Sequence, residues 1–191
     1  FLRMIGAAAL LPLLLSCRSR RRSLTIAASL WPGYELMFLA AREGWLRQNE
    51  VKLLETSSNT ETLKKVREGV VDGAALTLHE VLRLRSEGIA LSVVLVLDVS
   101  AGADVVMARP GIRSLADLRG KRVGVEYAGY GAFMLYKVCE TAGIEVSSVA
   151  VVPMTIDRHL AAWRGKEVDA VITYEPVATR IEALGGRRIF D

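Results

Sequence analysis

The sequence predicts an α/β fold of two similar lobes, each built around a mostly parallel sheet. From Ser23 onward, short apolar runs alternate with helix-like stretches that end at a glycine, a pattern typical of parallel α/β sheets. The composition, with 51% hydrophobic residues, favours a packed core over disorder. A repeat indicates two lobes, because segments 69–74 and 165–170 share a helix-ending glycine and a strand-opening aspartate, Asp72 and Asp169.

The first lobe is expected at residues 24–101. Ser58 and Thr77 each precede a helix-like stretch, so both are predicted N-caps. Residues 91–97 are almost entirely apolar, as in strands that are buried on both faces of a parallel sheet. The expected strands are 24–29, 51–55, 74–76 and 91–97, and the expected helices are 34–42, the stretch after Ser58 and 77–88.

The second lobe is expected at residues 102–191, with the boundary near residues 98–103. Ser114 and Asp117 have the spacing of a capping box and predict a short helix. The expected strands are 104–107, 122–125, 148–152 and 169–173, and the longer helices are 130–141 and 157–164. The chain begins with Phe1 and ends as a further strand begins, so we expect a fragment of a longer protein.

Residues 1–17 have the features of an export signal. Arg3 is followed by an apolar run at residues 4–15, which as a helix is roughly 18 Å long against roughly 30 Å of bilayer hydrocarbon. The run ends in Leu14-Leu15-Ser16-Cys17, which is similar to the bacterial lipobox. We therefore predict a lipoprotein signal with lipidation at Cys17 and a tether at residues 18–23. The alternative is an ordinary signal peptide with a chance cysteine.

Charge and cysteine content exclude several other classes of function. The net charge of +4 is concentrated in the arginines of residues 18–22, and such a terminal cluster favours a tether over a nucleic-acid interface. Cys139 shares a helical face with Leu135 and is predicted to be a buried apolar residue. The sequence has no CxxC pair and no Cys/His cluster, so we expect neither a metal site nor a cofactor.

A ligand site is predicted where the loops leave the carboxyl ends of the strands, because open parallel sheets bind ligands there. These loops are rich in aromatic, acidic and small polar residues. The candidate ligand-binding residues are Trp31, Tyr34, Glu35, Ser58, Asn59, Thr77, Ser100, Tyr127, Gly129, Tyr130, Tyr174 and Glu175.

The aromatic and acidic side chains favour a flat heterocycle or an organic cation, through stacking and cation–π attraction. Glu35, Glu126 and Glu175 would repel a bare anion, although each is also explained as a charge at a helix N-terminus. The glycines around Tyr130 would suit an anion if that helix begins at the ligand.

Four further side chains are less informative. His79 lies at a helix start from which it could reach the site, whereas His159, beside Arg158, is predicted at the surface. Trp45 and Trp163 are interpreted as packing at helix ends.

These motifs resemble the thiamine-pyrimidine-synthesis-like solute-binding proteins, which belong with the nitrate, taurine and alkanesulfonate binders of ABC importers. The resemblance covers Ser23 to the end of the chain. The matching segments are 31–35, 39–44, 69–72, 114–124 and 169–176, which include Trp-Pro-Gly-Tyr-Glu and Thr-Tyr-Glu-Pro.

The resemblance implies a type II periplasmic-binding fold, with a hinged cleft between two lobes and a second crossover that this chain does not contain. It implies a monomer on the outer side of the membrane that captures a small molecule and delivers it to an ABC permease. Sulfonate, taurine or nitrate is the alternative ligand class. The alternative functions are a ligand-sensing domain of a signalling protein and an enzyme, but no nucleophile–base set can be assembled, so no catalytic residue is assigned.

Overall fold

The computed structural model describes residues 22–191. The predicted signal segment, Cys17 and most of the tether lie outside this range. The first lobe contains β1 (Leu24–Ser29), α1 (Glu35–Arg42), β2 (Val51–Thr56), α2 (Asn59–Arg67), β3 (Gly73–Ala74) and α3 (Leu78–Ser86). The second lobe contains β4 (Asp104–Ala108), β5 (Arg122–Val125), α4 (Tyr130–Ala142), β6 (Ala150–Pro153), α5 (Ile156–Arg164), β7 (Ala170–Tyr174), α6 (Val177–Glu182) and β8 (Arg187–Phe190).

The sheets confirm the predicted α/β class with mostly parallel strands. The first lobe has the strand order β2-β1-β3, with both neighbours parallel to β1. The second lobe has the order β6-β5-β7-β4-β8. In it β5 is parallel to β6 and β7, whereas β4 is antiparallel to β7 and β8. The parallel part of the second sheet therefore repeats the arrangement of the first.

The repeated aspartates make the same contacts in both lobes. Asp72 Oδ2 accepts the N–H of Thr25 at 2.9 Å, and Asp169 Oδ2 accepts the N–H of Arg122 at 2.9 Å. Thr25 and Arg122 lie in the equivalent strands β1 and β5. Asp72 and Asp169 immediately precede the neighbouring parallel strands β3 and β7. Both pairs of positions are separated by 97 residues.

The second sheet is covered on both faces. Alternate residues of β4 point to opposite sides, so that Val106 packs in one core with α4 while Met107 packs in the other with α5 and α6. Cys139, on the buried face of α4, lies in the core as predicted, and Trp163 lies in the core of the opposite face. Trp45, in contrast, is 74% exposed, so its predicted packing role is wrong.

The prediction of a buried strand at residues 91–97 is also wrong. The segment forms no strand, and Val94 is 93% exposed. Apolar composition indicates a preference for burial but supplies no partner, and a strand needs a neighbour to pair its backbone groups. Among the described residues β3 pairs with β1 alone, and no other strand extends this edge of the first sheet.

Removing either repeated aspartate should weaken the fold. We expect Asp72→Ala and Asp169→Ala each to lower the free energy of unfolding by about 1–2 kcal/mol, because each leaves a backbone N–H without its acceptor. The Asn variants keep one acceptor oxygen and should cost less. Urea unfolding measures the effect, and the exposed Glu43→Ala serves as control, with a change within about 0.5 kcal/mol. Equal losses for the control and the aspartate variants would contradict the assignment.

Candidate functional site

The carboxyl ends of the parallel strands of both lobes point toward a common cleft. A cavity in this cleft is narrow, with about 10 Å³ of free volume, which is room for about one water molecule. The lobes are in contact around it. The cavity is lined by Asn59 from the first lobe and by Asp104, Glu126, Tyr130, Gly131, Met134, His159, Ile172, Thr173 and Tyr174 from the second.

Glu126 joins the two lobes at this cavity. It follows β5, and its Oε1 accepts hydrogen bonds from the N–H of Thr60, at 2.7 Å, and from the Thr60 hydroxyl, at 2.6 Å. Its Oε2 accepts the N–H of Ile156 at 3.3 Å. Thr60 is the second residue of α2, and Ile156 is the first residue of α5. Burial raises the pKa of Glu126, while the bonds from Thr60 and Ile156 oppose that shift.

Glu80 is a second buried carboxylate beside the cleft. It is the third residue of α3 and completes a capping box with Thr77, whose N–H donates to Glu80 Oε2 at 2.8 Å. The other oxygen, Oε1, is buried and has no hydrogen-bond partner among the described residues. It lies against Gly129, where an added Cβ would be 2.9 Å away. Burial is the largest effect on its pKa and raises it.

His159 lies inside the protein, which corrects its predicted position at the surface. It is 1% exposed, and its Nδ1 lies 3.2 Å from the Thr173 hydroxyl. Burial lowers its pKa to about 4, so the imidazole is neutral at pH 7, and Nε2 has no partner in the described chain. The spacing from Ile156 to His159 to Trp163 places all three on one helical face, a signal that could have predicted this burial.

Aromatic rings form contacts across the cleft. Trp31 and Tyr174 meet edge to face with ring centroids 5.7 Å apart, and Trp31 Nε1 donates to Asp98 Oδ2 at 2.6 Å. The hydroxyl of Tyr174 is buried without a partner in residues 22–191. His79 of the first lobe stacks on Phe133 of the second at 5.5 Å, so it does reach the cleft.

A family model matches most of the described chain. Residues 31–189 match the model of a family described as NMT1/THI5 like. The chain belongs to this family. Within it, the match includes the cleft residues of both lobes described above.

Comparisons with single proteins agree with the fold. A Brucella abortus protein named only as a binding protein is 31% identical over 80 residues, which are 42% of this chain and 25% of that protein. The alkanesulfonate-binding protein SsuA of Xanthomonas axonopodis, solved with MOPS bound, matches 90% of this chain and 61% of its own, with a TM-score of 0.72 and 19% identity. The nitrate-binding protein NrtA of Synechocystis matches 88% of this chain and 51% of its own, with a TM-score of 0.71 and 12% identity. The chain thus spans about a quarter of the first relative and less than two thirds of both structures.

The structure brings together only part of the predicted site. Asn59, Tyr130 and Tyr174 line the cavity, Gly129 adjoins Glu80, and Trp31 packs on Tyr174. Tyr34 is buried in the small core of the first lobe. The predicted residues with a structural role are Ser58, Thr77 and Glu175. Those with an exposed position are Glu35, Ser100 and Tyr127.

Three of these residues have partners within the chain that account for their side chains. Ser58 and Thr77 cap α2 and α3, as the sequence predicts. Glu175 accepts from the N–H and hydroxyl of Thr179 and pairs with Arg188 at 3.0 Å, so its carboxylate is occupied within the second lobe. Ligand contacts by any of the predicted residues remain predictions.

Sequence reasoning did not select several residues of the cavity region. These include Glu80, Asp104, Met134 and His159, whereas the sequence does point to Glu126 through its charge and to Gly131 through the helix start at Tyr130. Asp104 lies opposite Tyr174 in the β4–β7 register, and burial raises its pKa. Among residues 22–191 no group of three or more side chains is arranged to hold a metal ion, and no helix has the length and apolar character that crossing a bilayer requires.

The buried carboxylate of Glu80 should cost stability at neutral pH. Because burial raises its pKa, its contribution to stability is complete below the ordinary value of 4.5 and is lost as the pH rises through the raised pKa. We expect Glu80→Gln, which can still complete the capping box, to match the wild type near pH 4. At pH 7 it should be more stable by about 1 kcal/mol, or about 2–4 °C in Tm.

Glu61 provides a matched control, because it is the third residue of α2 as Glu80 is of α3. Bonds from Ser57 lower the pKa of Glu61, so its contribution is present above the ordinary value and is lost as the pH falls. Glu61→Gln should therefore be less stable than the wild type at pH 7. Thermal unfolding between pH 4 and pH 7 measures both variants, and a less stable Glu80→Gln at pH 7 would contradict the prediction.

Proposed function

We propose that the protein is the extracytoplasmic solute-binding component of an ABC importer, which captures a small molecule between its lobes and delivers it to the permease. The observation that carries this proposal is the cavity formed by both lobes, with buried polar atoms of His159 and Tyr174 left without partners. Such atoms are costly in a folded protein unless something else bonds to them. The family and the binding-protein neighbours support capture over catalysis.

Capture requires opening and closing of the cleft. The free volume of about 10 Å³ is too small for a solute, so the ligand binds while the lobes are apart and closure follows. A ligand shifts this balance only by the difference between its affinities for the closed and open forms. The interlobe contacts of Glu126, Trp31 and His79 are those that closure makes.

The cavity favours a heteroaromatic or amine-bearing ligand. Asp104 and Glu126 line it together with Tyr130 and Tyr174, and no lysine or arginine is among the described lining residues. Carboxylates attract cations and accept from N–H donors, and aromatic faces stack on rings or cations. The alternative of sulfonate or nitrate is supported by the ligands named for the two solved neighbours.

We also propose that the protein is located outside the cytoplasm. Lipidation of Cys17 would anchor the protein to the membrane surface, since an acyl chain anchors a protein without spanning the bilayer. The tether at residues 18–23 would then lead directly into β1. We propose a monomer that needs no cofactor and binds no nucleic acid.

Ligand binding should be visible in the fluorescence of Trp31. We expect amines and aminopyrimidines, added to the complete protein, to change tryptophan emission through closure of Trp31 on Tyr174. Trp31→Phe should lose this change, whereas Trp45→Phe, which alters an exposed ring, should keep it. A ligand at 100 times its Kd should also stabilise the protein by about 2.7 kcal/mol.

The outcomes separate the function from the ligand class. Stabilisation by sulfonates or nitrate alone would contradict the amine or heteroaromatic class and leave solute binding intact. If no compound of either class shifts the unfolding temperature, the solute-binding proposal is wrong.

A further inference from the structure

Two helices of the protein begin at the same carboxylate. The N–H groups of Thr60 in α2 and Ile156 in α5, together with the Thr60 hydroxyl, converge on the two oxygens of Glu126. Both helices have nine residues, and they belong to different lobes. Glu126 is itself 5% exposed, so this contact is almost shielded from water.

Helix N-termini are natural binding sites for anions, because their first N–H groups are unpaired and the helix dipole is positive there. An oxyanion bound in the cleft would present two or three oxygens to such groups. Here the chain's own carboxylate fills this position, and it does so from the second lobe onto the first.

Two other polar side chains of the cavity differ from Glu126 because each has an atom without a hydrogen-bond partner in the part of the chain that the structure describes. His159 and Tyr174 line the same cavity, and the buried His159 Nε2 and Tyr174 hydroxyl have no hydrogen-bond partner in the described residues. The Glu126 carboxylate therefore has hydrogen-bond donors for both of its oxygens, whereas His159 Nε2 and the Tyr174 hydroxyl have no partner among residues 22–191. The groups with unmet hydrogen bonds are a neutral imidazole and a phenol, not cations.

The surrounding charges oppose an anion. Asp104 lines the cavity, and burial, with the charge of Glu126 adding to it, raises the pKa of Glu80. The one cationic side chain seen to bridge the lobes in this part of the structure is Arg83, which donates to the carbonyl of Ala128 and is near Glu87. An incoming oxyanion would have to displace Glu126 and lie beside these carboxylates.

We propose that Glu126 takes the place of an anionic ligand. Its carboxylate occupies the N-termini of α2 and α5 and thereby excludes oxyanions from the cleft. The side chain then determines specificity by filling this subsite, and Asp104, Tyr130 and Tyr174 remain to contact the solute. This inference rests on the proposed function in treating the cleft as the ligand site.

The test removes the carboxylate and offers small anions to the complete protein. Methanesulfonate, taurine and nitrate are titrated by calorimetry into the wild type, Glu126→Ala and Glu126→Ser, whose folding is checked by near-ultraviolet circular dichroism. Either variant vacates the space at both helix N-termini, so one suffices if the other fails to fold. Asp157→Asn is the matched control, because it removes one charge from the first turn of α5 outside the cavity lining.

We expect a Glu126 variant to bind at least one of these anions about tenfold or more tightly than the wild type, a difference of about 1.4 kcal/mol. Asp157→Asn should bind them as weakly as the wild type does. Wild-type binding as tight as that of the variants, no gain in a folded Glu126 variant, or an equal gain in Asp157→Asn would each overturn the inference. Wild-type binding of a sulfonate would overturn it while supporting solute binding, so the two proposals fail separately.

Discussion

The hydrogen bonds of the Glu126 carboxylate are the constraint on which the closed arrangement of the lobes depends. A buried carboxylate is stable only when its oxygens are paired, and the partners of Glu126 come from helices in both lobes. One side chain therefore joins the N-termini of α2 and α5. The contacts between Trp31 and Tyr174 and between His79 and Phe133 complete the same interface with aromatic surface.

This convergence follows from the repeated parallel topology. In each lobe the helices follow parallel strands, so helix N-termini gather at the carboxyl edge of the sheet. Asp72 and Asp169 fix the register of the first strand of each repeat through the same backbone contact. Two lobes of the same construction, facing each other, place positive helix ends on both sides of one cleft. Two acidic side chains, Glu80 and Glu126, lie at these helix ends, and within the described chain only Glu126 has hydrogen-bond donors for both of its carboxylate oxygens.

The sequence predicted those features that depend on local spacing. The caps at Ser58 and Thr77, the capping box of Ser114 and Asp117 and the burial of Cys139 all follow from residues within one or two helical turns. The strand at residues 91–97 was wrong because pairing depends on a partner strand that composition does not reveal. His159 was misplaced because a polar residue was judged by its type and not by the apolar face it shares.

The same distinction explains why the cavity was only half predicted. Asn59 and Tyr130 begin helices and Tyr174 ends β7, so topology alone brings them to the cleft. Glu80 looks like an ordinary capping residue, and only the approach of Gly129 from the other lobe makes its free oxygen part of the interface. Leaving Glu80 Oε1, His159 Nε2 and Tyr174 Oη unpaired costs free energy. These atoms lie where the two lobes meet, so the cost falls on the closed arrangement of the lobes.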